Sequence, residues 1–224
     1  MTRGFRFSSD NLPMIKMCGM RRTEDIVAAH EAGADLIGMV FAPSRRQVSA
    51  SEAAAMLAKA GAHPPVVGVF VNQGAAAIAE VARIVGLDLV QLSGDETPEE
   101  AENLELPYIK TIHLKAATTL EEALGALVRY PTAAFLLDSW SREGGGSGIA
   151  PDWGLAAAII RQTPAPVFLA GGLSPENVAQ ALVTTGASGV DVSSGIEVDG
   201  WKDQGRMAEF ARQAGRPRVH TISA

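Results

Sequence analysis

Residues 167–195 read VFLAGGLSPENVAQALVTTGASGVDVSSG. Two short apolar runs, 167–170 and 189–192, flank a longer segment that carries helix signals at both ends. Ser174-Pro175-Glu176 offers a cap, a proline and an acidic residue at the helix start, and Gly186 suits a left-handed helix end. The stretch therefore predicts a strand, a helix and a second, parallel strand.

The same alternation of apolar runs and helical segments extends over the whole chain. Strands are predicted at 14–17, 36–41, 66–71, 89–92, 108–112, 134–137, 167–170 and 189–192. Several of these runs are apolar throughout, as expected for strands that are covered on both faces. Eight βα units without a polar linker predict one domain, built as either a closed barrel or an open doubly wound sheet.

Capping residues and glycines mark the helices between these strands. Ser49 with Glu52, and Thr97 with Pro98 and Glu100, predict two helix starts. The glycines that follow helical stretches, where a left-handed backbone is favoured, are Gly33, Gly61, Gly86, Gly186 and Gly215.

The residues after the first strand decide between the two architectures. They read Cys18-Gly19-Met20-Arg21, which lacks the G-x-G-x-x-G pattern of a dinucleotide-binding sheet. We therefore predict an α/β fold with a single (β/α)8 TIM barrel over residues 14–224. Residues 1–13 are predicted to form a poorly ordered N-terminal extension.

Composition excludes several classes of protein. Apolar residues make up 47% of the 224, charged residues 20%, and the formal net charge is −6 without a cluster of Lys and Arg, which argues against a nucleic-acid partner. No apolar run approaches the roughly 20 residues of a membrane helix, and the first residues lack a signal-peptide pattern. Cys18 is the single cysteine, so no internal disulfide can form. These features favour a cytoplasmic protein with no membrane partner.

Polar and reactive residues fall where a barrel carries its active site, at the carboxyl-terminal ends of the strands. Cys18 follows the first strand, Asp138 the sixth, and Asp191 lies near the end of the eighth. Arg46 lies in the loop after the second strand, and Gln91 lies late in the fourth. We predict that these five residues, which converge on one face, form a functional site.

Two loops predict a phosphate site. Gly171 and Gly172 follow the seventh strand, and Ser193, Ser194 and Gly195 follow the eighth. Glycine lets the backbone approach an anion, serine adds a hydroxyl donor, and barrels commonly bind phosphate in this pair of loops. Either loop alone is equally typical of a tight turn, so the prediction depends on the pair. A further glycine cluster at 144–148 suits either a mobile flap or a simple connection.

Metal binding is not predicted. The four histidines are His30, His63, His113 and His220, and only His113 is near a strand end. One histidine without paired ligands is a weak metal signal.

Motifs along most of the chain resemble those of the phosphoribosylanthranilate isomerase family. In chain order they are Lys16-Met17-Cys18-Gly19, GADLIGMVF at 33–41, SRRQVS at 44–49, VGVFVN at 67–72, LVQL at 89–92, LLD at 136–138 with the glycine cluster, Asp152-Trp153, LAGGLSPENV at 169–178, GVDVSSGIE at 189–197 and Lys202-Asp203. Each motif alone is weak, but their order over residues 14–203 is specific.

The resemblance implies an Amadori rearrangement in tryptophan biosynthesis. It would convert N-(5-phosphoribosyl)anthranilate to 1-(2-carboxyphenylamino)-1-deoxyribulose 5-phosphate by general acid/base catalysis, without a metal or organic cofactor. The family's acid matches Asp138 and its base matches Cys18. Arg46, rather than Arg45, matches the arginine that meets the anthranilate carboxylate, and Asp191 matches an aspartate that contacts substrate.

Lys16 lies two residues before Cys18 on the same strand, so the two side chains share a face. Its ammonium is expected to lower the pKa of the thiol and stabilise a thiolate base. Ser93 departs from the family, which often has a histidine after Val-Gln-Leu.

Other functions stay open at this point. The chain could be another phosphate-binding barrel isomerase or epimerase, or a barrel that binds a sugar phosphate without turnover. An epimerase would need metal-ligand histidines at strand ends, and a histidine-pathway isomerase would have aspartates at both Cys18 and Asp138. The expected partner is a small sugar phosphate, and the expected state is a monomer or a homodimer.

Overall fold

Eight parallel strands close into a barrel in this computed structural model, which describes residues 12–115, 117–139 and 152–216. The strands are β1 Met14–Cys18, β2 Leu36–Val40, β3 Val66–Phe70, β4 Leu89–Leu92, β5 Tyr108–Leu114, β6 Ala134–Ser139, β7 Val167–Ala170 and β8 Gly189–Val192. They are hydrogen-bonded in chain order, and β8 closes the barrel against β1. The predicted (β/α)8 barrel is confirmed.

The ends of the strands differ from the prediction by at most two residues. The largest extensions are in β5, which continues to Leu114, and β6, which continues to Ser139. His113 pairs with Asp138 and Leu114 with Ser139, so the backbone ladder continues beyond the apolar run. The prediction stopped where side chains became polar, but backbone pairing does not depend on side-chain polarity.

Helices follow the strands on the outside of the barrel. They are α1 Thr23–Glu31, α2 Ala50–Ala60, α3 Ala75–Val85, α4 Pro98–Glu102, α5 Leu120–Leu127, α6 Trp153–Gln162, α7 Val178–Thr185 and α8 Gln204–Gln213. Ser49 and Thr97 cap α2 and α4 as predicted, each accepting from the backbone N–H of a glutamate three residues on. All five glycines predicted at helix ends have positive φ.

One predicted helix start is wrong. Ser174-Pro175-Glu176 forms a turn, and α7 begins at Val178. The side chain of Asn177 explains the delay, because its Oδ1 accepts from the Ser174 N–H at 2.9 Å and its Nδ2 donates to the Gly172 carbonyl at 2.9 Å. These bonds hold the segment in the loop after β7, with Asn177 at φ −127°.

The segment after β8 has structure that the sequence did not predict. A 3₁₀ helix, Ser194–Ile196, leads into a small antiparallel hairpin of β9 Glu197–Val198 and β10 Trp201–Lys202. The hairpin lies between the candidate phosphate loop and α8, and it therefore adds side chains to the barrel mouth.

The barrel interior changes from apolar to polar along the strands. A buried cluster fills its lower part and reaches the level of Asp138 at Ala170; its members are Met14, Leu36, Val67, Leu89, Ile109, Ala134, Leu136, Phe168 and Ala170. Side chains two residues apart on a strand share a face. Four polar residues each lie two positions beyond a member of this cluster: Lys16, Gln91, Thr111 and Asp138. Asp191 lies two positions beyond Gly189, where a Cβ would meet the Phe168 ring of the cluster. The lower interior of the barrel is therefore apolar, and its carboxyl-terminal opening, the mouth, is lined by polar residues.

Within the described ranges, no helix combines the length and apolar character needed to cross a bilayer. Residues 1–11 of the predicted N-terminal extension and the glycine cluster at 144–148 lie outside those ranges.

Candidate active site

The barrel brings the predicted site residues to one face. Cys18, Gln91, Asp138 and Asp191 lie on strands β1, β4, β6 and β8, while Arg46, Gly171, Gly172, Ser193, Ser194 and Gly195 lie in the loops beyond β2, β7 and β8. The charges of Lys16 and Asp191 act on both Cys18 and Asp138, so the two candidate catalytic groups share one electrostatic environment.

A buried ion pair forms the base of this site. Lys16 and Asp191 are register partners on β1 and β8, and Lys16 Nζ lies 2.6 Å from Asp191 Oδ1. The Lys16 side chain is fully buried, whereas that of Asp191 is 11% exposed towards the mouth. Burial by itself lowers the pKa of Lys16, but the charges of Asp191 and Cys18 outweigh it and raise the pKa above 10.5.

Cys18 lies at the end of β1, with only 8% of its surface exposed. Burial raises the pKa of the thiol, Lys16 and Lys202 lower it, and Asp191 raises it; the net direction is upward from 9.0. The expected influence of Lys16 is present, but the predicted net lowering is wrong for the free protein. The reason is that Asp191 neutralises the ammonium while burial disfavours the thiolate.

Asp138 on β6 has the raised pKa that a general acid needs. Its side chain keeps 36% of its surface accessible, yet the surrounding barrel wall removes enough water to raise the pKa of Asp138 to about 6. His113 and Lys16 oppose this rise and Asp191 adds to it. The carboxyl can therefore hold a proton close to neutral pH.

The Gln91 side chain points into the barrel, and its amide nitrogen is hydrogen-bonded to neighbouring side chains. Its Nε2 donates to Ser93 Oγ at 2.9 Å and to Thr111 Oγ1 at 3.3 Å, and Ser93 Oγ lies 3.0 Å from Thr111 Oγ1. Among the described residues, Gln91 Oε1 has no hydrogen-bond partner. The predicted contact with substrate is therefore open to the amide oxygen of Gln91.

Arg46 is held in an ion pair that the sequence analysis did not foresee. Its Nε and Nη2 donate to the two carboxylate oxygens of Glu197 at 2.6 and 2.9 Å. Arg45 makes one bond to the same carboxylate and is 58% exposed, against 16% for Arg46. The guanidinium of Arg46 thus binds a carboxylate through two donors, and that carboxylate belongs to the protein itself.

Glu197 also links Arg46 to the candidate phosphate loop. Lys202 Nζ lies 3.0 Å from Glu197 Oε1 and donates to the Ser193 carbonyl at 2.9 Å. Burial raises the pKa of Glu197, but Arg46 and Lys202 outweigh it and bring the pKa to about 2. The carboxylate is therefore ionised throughout the neutral range, and it orders two cations at the mouth.

The loops after β7 and β8 have the geometry of an anion site. Gly171 and Gly172 have φ of 86° and 64°, and a Cβ built on Gly172 meets no atom within 4 Å. A Cβ on Gly195 would collide with the Leu173 carbonyl oxygen, so the two loops touch at this point. Within the described residues, the N–H groups of Gly171 and Gly172 donate to no protein acceptor. They remain available for an anion.

Two cationic side chains donate hydrogen bonds to backbone carbonyls of the loop after β8. Lys202 donates to the Ser193 carbonyl and Arg206 Nε to the Gly195 carbonyl at 2.9 Å. Ser193 Oγ donates to the Cys18 carbonyl at 3.0 Å, which ties the candidate phosphate loop to the end of β1. Within the described ranges, no group of three or more His, Cys, Asp or Glu side chains is arranged to hold a metal ion.

Sequence reasoning missed three polar residues at the mouth. Glu197 and Lys202 were recognised only as parts of a motif, and His113 only as a weak metal candidate. A signal was available for His113, because it lies two residues beyond the inward-facing Thr111. Glu197 and Lys202 depend on the hairpin, whose fold is set by contacts distant in sequence.

The fold and site define a (β/α)8 barrel with a protonatable carboxyl, a thiol and an anion-binding loop pair at its carboxyl-terminal mouth. A model of the N-(5'-phosphoribosyl)anthranilate (PRA) isomerase family matches residues 15–213, and the chain belongs to this family.

Known members of the family are similar along nearly their whole length. The N-(5'-phosphoribosyl)anthranilate isomerase of Pseudomonas fluorescens is 42% identical over 199 residues, which are 87% of this chain and 95% of that protein. The crystal structure of the Thermotoga maritima enzyme has a TM-score of 0.82 and 35% identity, covering 91% of this chain and 98% of that one. A phosphoribosyl anthranilate isomerase solved with reduced 1-(o-carboxyphenylamino)-1-deoxyribulose 5-phosphate has a TM-score of 0.78 and 31% identity, with coverages of 91% and 98%.

Proposed function

We propose that this chain isomerises N-(5-phosphoribosyl)anthranilate to 1-(2-carboxyphenylamino)-1-deoxyribulose 5-phosphate. Family membership supports the reaction, and one structural observation carries the mechanism. Cys18 at the end of β1 and Asp138 at the end of β6 face one mouth, and the pKa of Asp138 is raised to about 6. A thiol and a protonatable carboxyl in one site supply the base and the acid that the reaction requires.

Asp138 acts first, as the acid. Its proton moves to the ring oxygen of the ribose, the C1′–oxygen bond breaks with its electron pair going to oxygen, and the nitrogen lone pair forms an iminium with C1′. A pKa of about 6 leaves a larger fraction of Asp138 protonated at neutral pH than an ordinary aspartate would have. The Asp138 carboxylate that remains lies in reach of the electrostatic influence of Lys16 and His113.

Cys18 acts second, as the base. The thiolate removes the C2′ proton, and the C–H electron pair forms a C1′–C2′ double bond while the iminium electrons return to nitrogen. The resulting enolamine tautomerises to the aminoketose. Burial raises the pKa of Cys18 in the free protein, so a bound iminium that favours the thiolate is needed for efficient transfer.

The substrate has two anionic ends, and the mouth offers a set of donors for each. We assign the 5′-phosphate to Gly171, Gly172, Ser193, Ser194 and Gly195, because of the available N–H groups and the supporting Lys202 and Arg206. Arg46 is assigned to the anthranilate carboxylate, which can share or replace Glu197 as its partner. Asp191 and the amide oxygen of Gln91 contact the hydroxyl groups between these ends.

The assignment extends to the context of the protein. We propose that it works without a metal or organic cofactor, in the cytoplasm, as a monomer or a homodimer. Residues 14–224 are assigned as the catalytic domain and residues 1–13 as an N-terminal extension.

A turnover assay tests the function. The purified protein is mixed with N-(5-phosphoribosyl)anthranilate, and the product is identified by NMR as the 1-deoxyribulose isomer, with chelator present and absent. Turnover that is unaffected by chelator is the expected result. Binding of the substrate without conversion would identify a sugar-phosphate-binding barrel instead, and conversion of other sugar phosphates alone would identify a different isomerase.

A further inference from the structure

His113 lies directly beside the candidate acid. It occupies β5, and its register partner on β6 is Asp138. His113 Nε2 lies 2.9 Å from the Ser93 carbonyl oxygen. Because a carbonyl oxygen only accepts, Nε2 must carry the hydrogen, and the ring orientation is fixed by this bond.

The second ring nitrogen has a different environment. His113 Nδ1 is buried, it has no hydrogen-bond partner among the described residues, and it lies 3.8 Å from Asp138 Oδ2. A hydrogen bond between these two atoms requires a rotation of the Asp138 side chain, which is 36% exposed. On the other side of Asp138, its register partner on β7 is the apolar Ala170.

We propose that His113 is a positioning residue for Asp138, with its Nδ1 and the carboxyl sharing one proton. The inference rests on the proposed function, since it concerns the acid of that reaction. When the proton is on Asp138, the carboxyl donates to the lone pair of Nδ1. When the proton is on Nδ1, the imidazolium donates to the carboxylate. Nε2 keeps its hydrogen and its bond to Ser93 in both forms.

This pairing explains how a carboxyl in a partly desolvated site can still give up its proton. Burial raises the pKa of Asp138, and His113 is the largest influence in the opposite direction. The other charged groups that act on this carboxyl are Lys16 from β1, which lowers the pKa, and Asp191 from β8, which raises it. Lys16 and Asp191 are ion-paired with each other, whereas the carboxylate facing His113 Nδ1 is that of Asp138, at 3.8 Å.

The alternative is a purely structural histidine that satisfies the Ser93 carbonyl. His113→Gln separates the two roles, because glutamine can place an amide N–H at the position of Nε2 but has no titratable atom at the position of Nδ1. His30→Gln, at an exposed site on α1, is the matched control. We expect His113→Gln to lower kcat about tenfold, the scale of one hydrogen bond to a charged group, with KM within about twofold.

The deciding measurement is the titration of Asp138, followed by carboxyl ¹³C NMR in the wild type and in His113→Gln, with Asp138→Asn to assign the signal. Removal of His113 should raise the pKa of Asp138 and move the pH–rate limb near pH 6 upward. An unchanged titration would overturn the inference, whatever the effect on kcat. If the wild type shows no turnover, the proposed function fails, while the titration still decides whether the proton is shared. If His113→Gln does not fold, His113→Asn is titrated in the same way, and the same rise is required.

Discussion

The ammonium of Lys16 and the carboxylate of Asp191 meet at 2.6 Å on neighbouring strands, two residues below Cys18 along β1. The pair closes the barrel seam between β8 and β1, and its charges also reach both candidate catalytic groups. Stability and reactivity are therefore coupled through one buried contact.

Asp191→Asn should destabilise the fold and acidify the thiol. The substitution leaves a fully buried ammonium without its counter-charge, which we expect to cost about 3 kcal/mol in the free energy of unfolding. It also removes a carboxylate that raises the pKa of Cys18, so that pKa should fall. Urea unfolding measures the first effect, and thiolate absorbance against pH, corrected with the Cys18→Ser variant for tyrosine ionisation, measures the second without interference from another thiol.

Asp199→Asn, in the exposed turn of the β9–β10 hairpin, is the control for loss of one negative charge. It should leave both measurements unchanged. A Cys18 titration that stays the same in Asp191→Asn would show that Asp191 does not act on the thiol.

Asp138→Asn should nearly abolish kcat and leave substrate binding intact, because asparagine keeps the shape of the side chain but carries no acidic proton. In the free protein the pKa of Asp138 is about 6 and that of Cys18 lies above 9.0. The form of the free protein that can react has a protonated Asp138 and a deprotonated Cys18. The fraction of molecules in this form is constant between the two pKa values, and it falls below the lower one and above the higher one. The wild-type profile of kcat/KM should therefore show a limb near pH 6, which the residual activity of Asp138→Asn should lack.

Cys18→Ser tests the base. The hydroxyl is similar in size but does not ionise near neutral pH, so the rate should fall by about 10² to 10⁴, the usual contribution of a general base. The limb at the higher pH should disappear, while unfolding by urea should change little. Near-normal turnover would show that Cys18 only fills the barrel, and the base would then be sought at Asp191.

How far the sequence predicted this molecule depends on the range of the contacts involved. The strands were found because apolar runs and helix caps are local signals, and their closure into a barrel follows from eight such units in one domain. The start of α7 was misplaced because Asn177 holds Ser174 in a turn, although Ser174-Pro175-Glu176 favours a helix. The local sequence signals for a helix start do not show that the Asn177 side chain holds this segment in a turn instead.

The candidate site shows the same limit. Cys18, Asp138 and Asp191 could be placed at the mouth from strand ends alone. The partners that set their chemistry could not, because Glu197 is 151 residues from Arg46 and the Asp191 carboxylate is 175 residues from Lys16. The pKa of Cys18 was predicted in the wrong direction because the sequence showed Lys16 two residues away but not the burial of the thiol, which raises the pKa most, nor the nearby Asp191, which raises it further.

Arg46→Lys should raise KM for N-(5-phosphoribosyl)anthranilate about tenfold, with a smaller change in kcat. Lysine cannot reproduce the planar pair of donors that now grips Glu197 and would grip the anthranilate carboxylate. Arg45→Lys is the internal control, because Arg45 is exposed and makes one bond to the same glutamate. Steady-state kinetics on both variants decide the matter, and an effect confined to Arg45→Lys would assign the carboxylate to that residue.

Gly172→Asp should weaken substrate binding far more than it weakens folding. The position has φ +64° with open space where a Cβ would lie, and aspartate is among the residues that tolerate this left-handed backbone. The new carboxylate would face the proposed position of the 5′-phosphate, and we expect KM to rise at least about tenfold from like-charge repulsion in a partly desolvated loop. Gly172→Asn has the same shape and the same backbone preference without the charge, so its KM should lie much closer to the wild type. Comparable KM values in Gly172→Asp and Gly172→Asn would place the phosphate away from the loop after β7, and urea unfolding of both variants would show whether a loss of folding accounts for any shared effect.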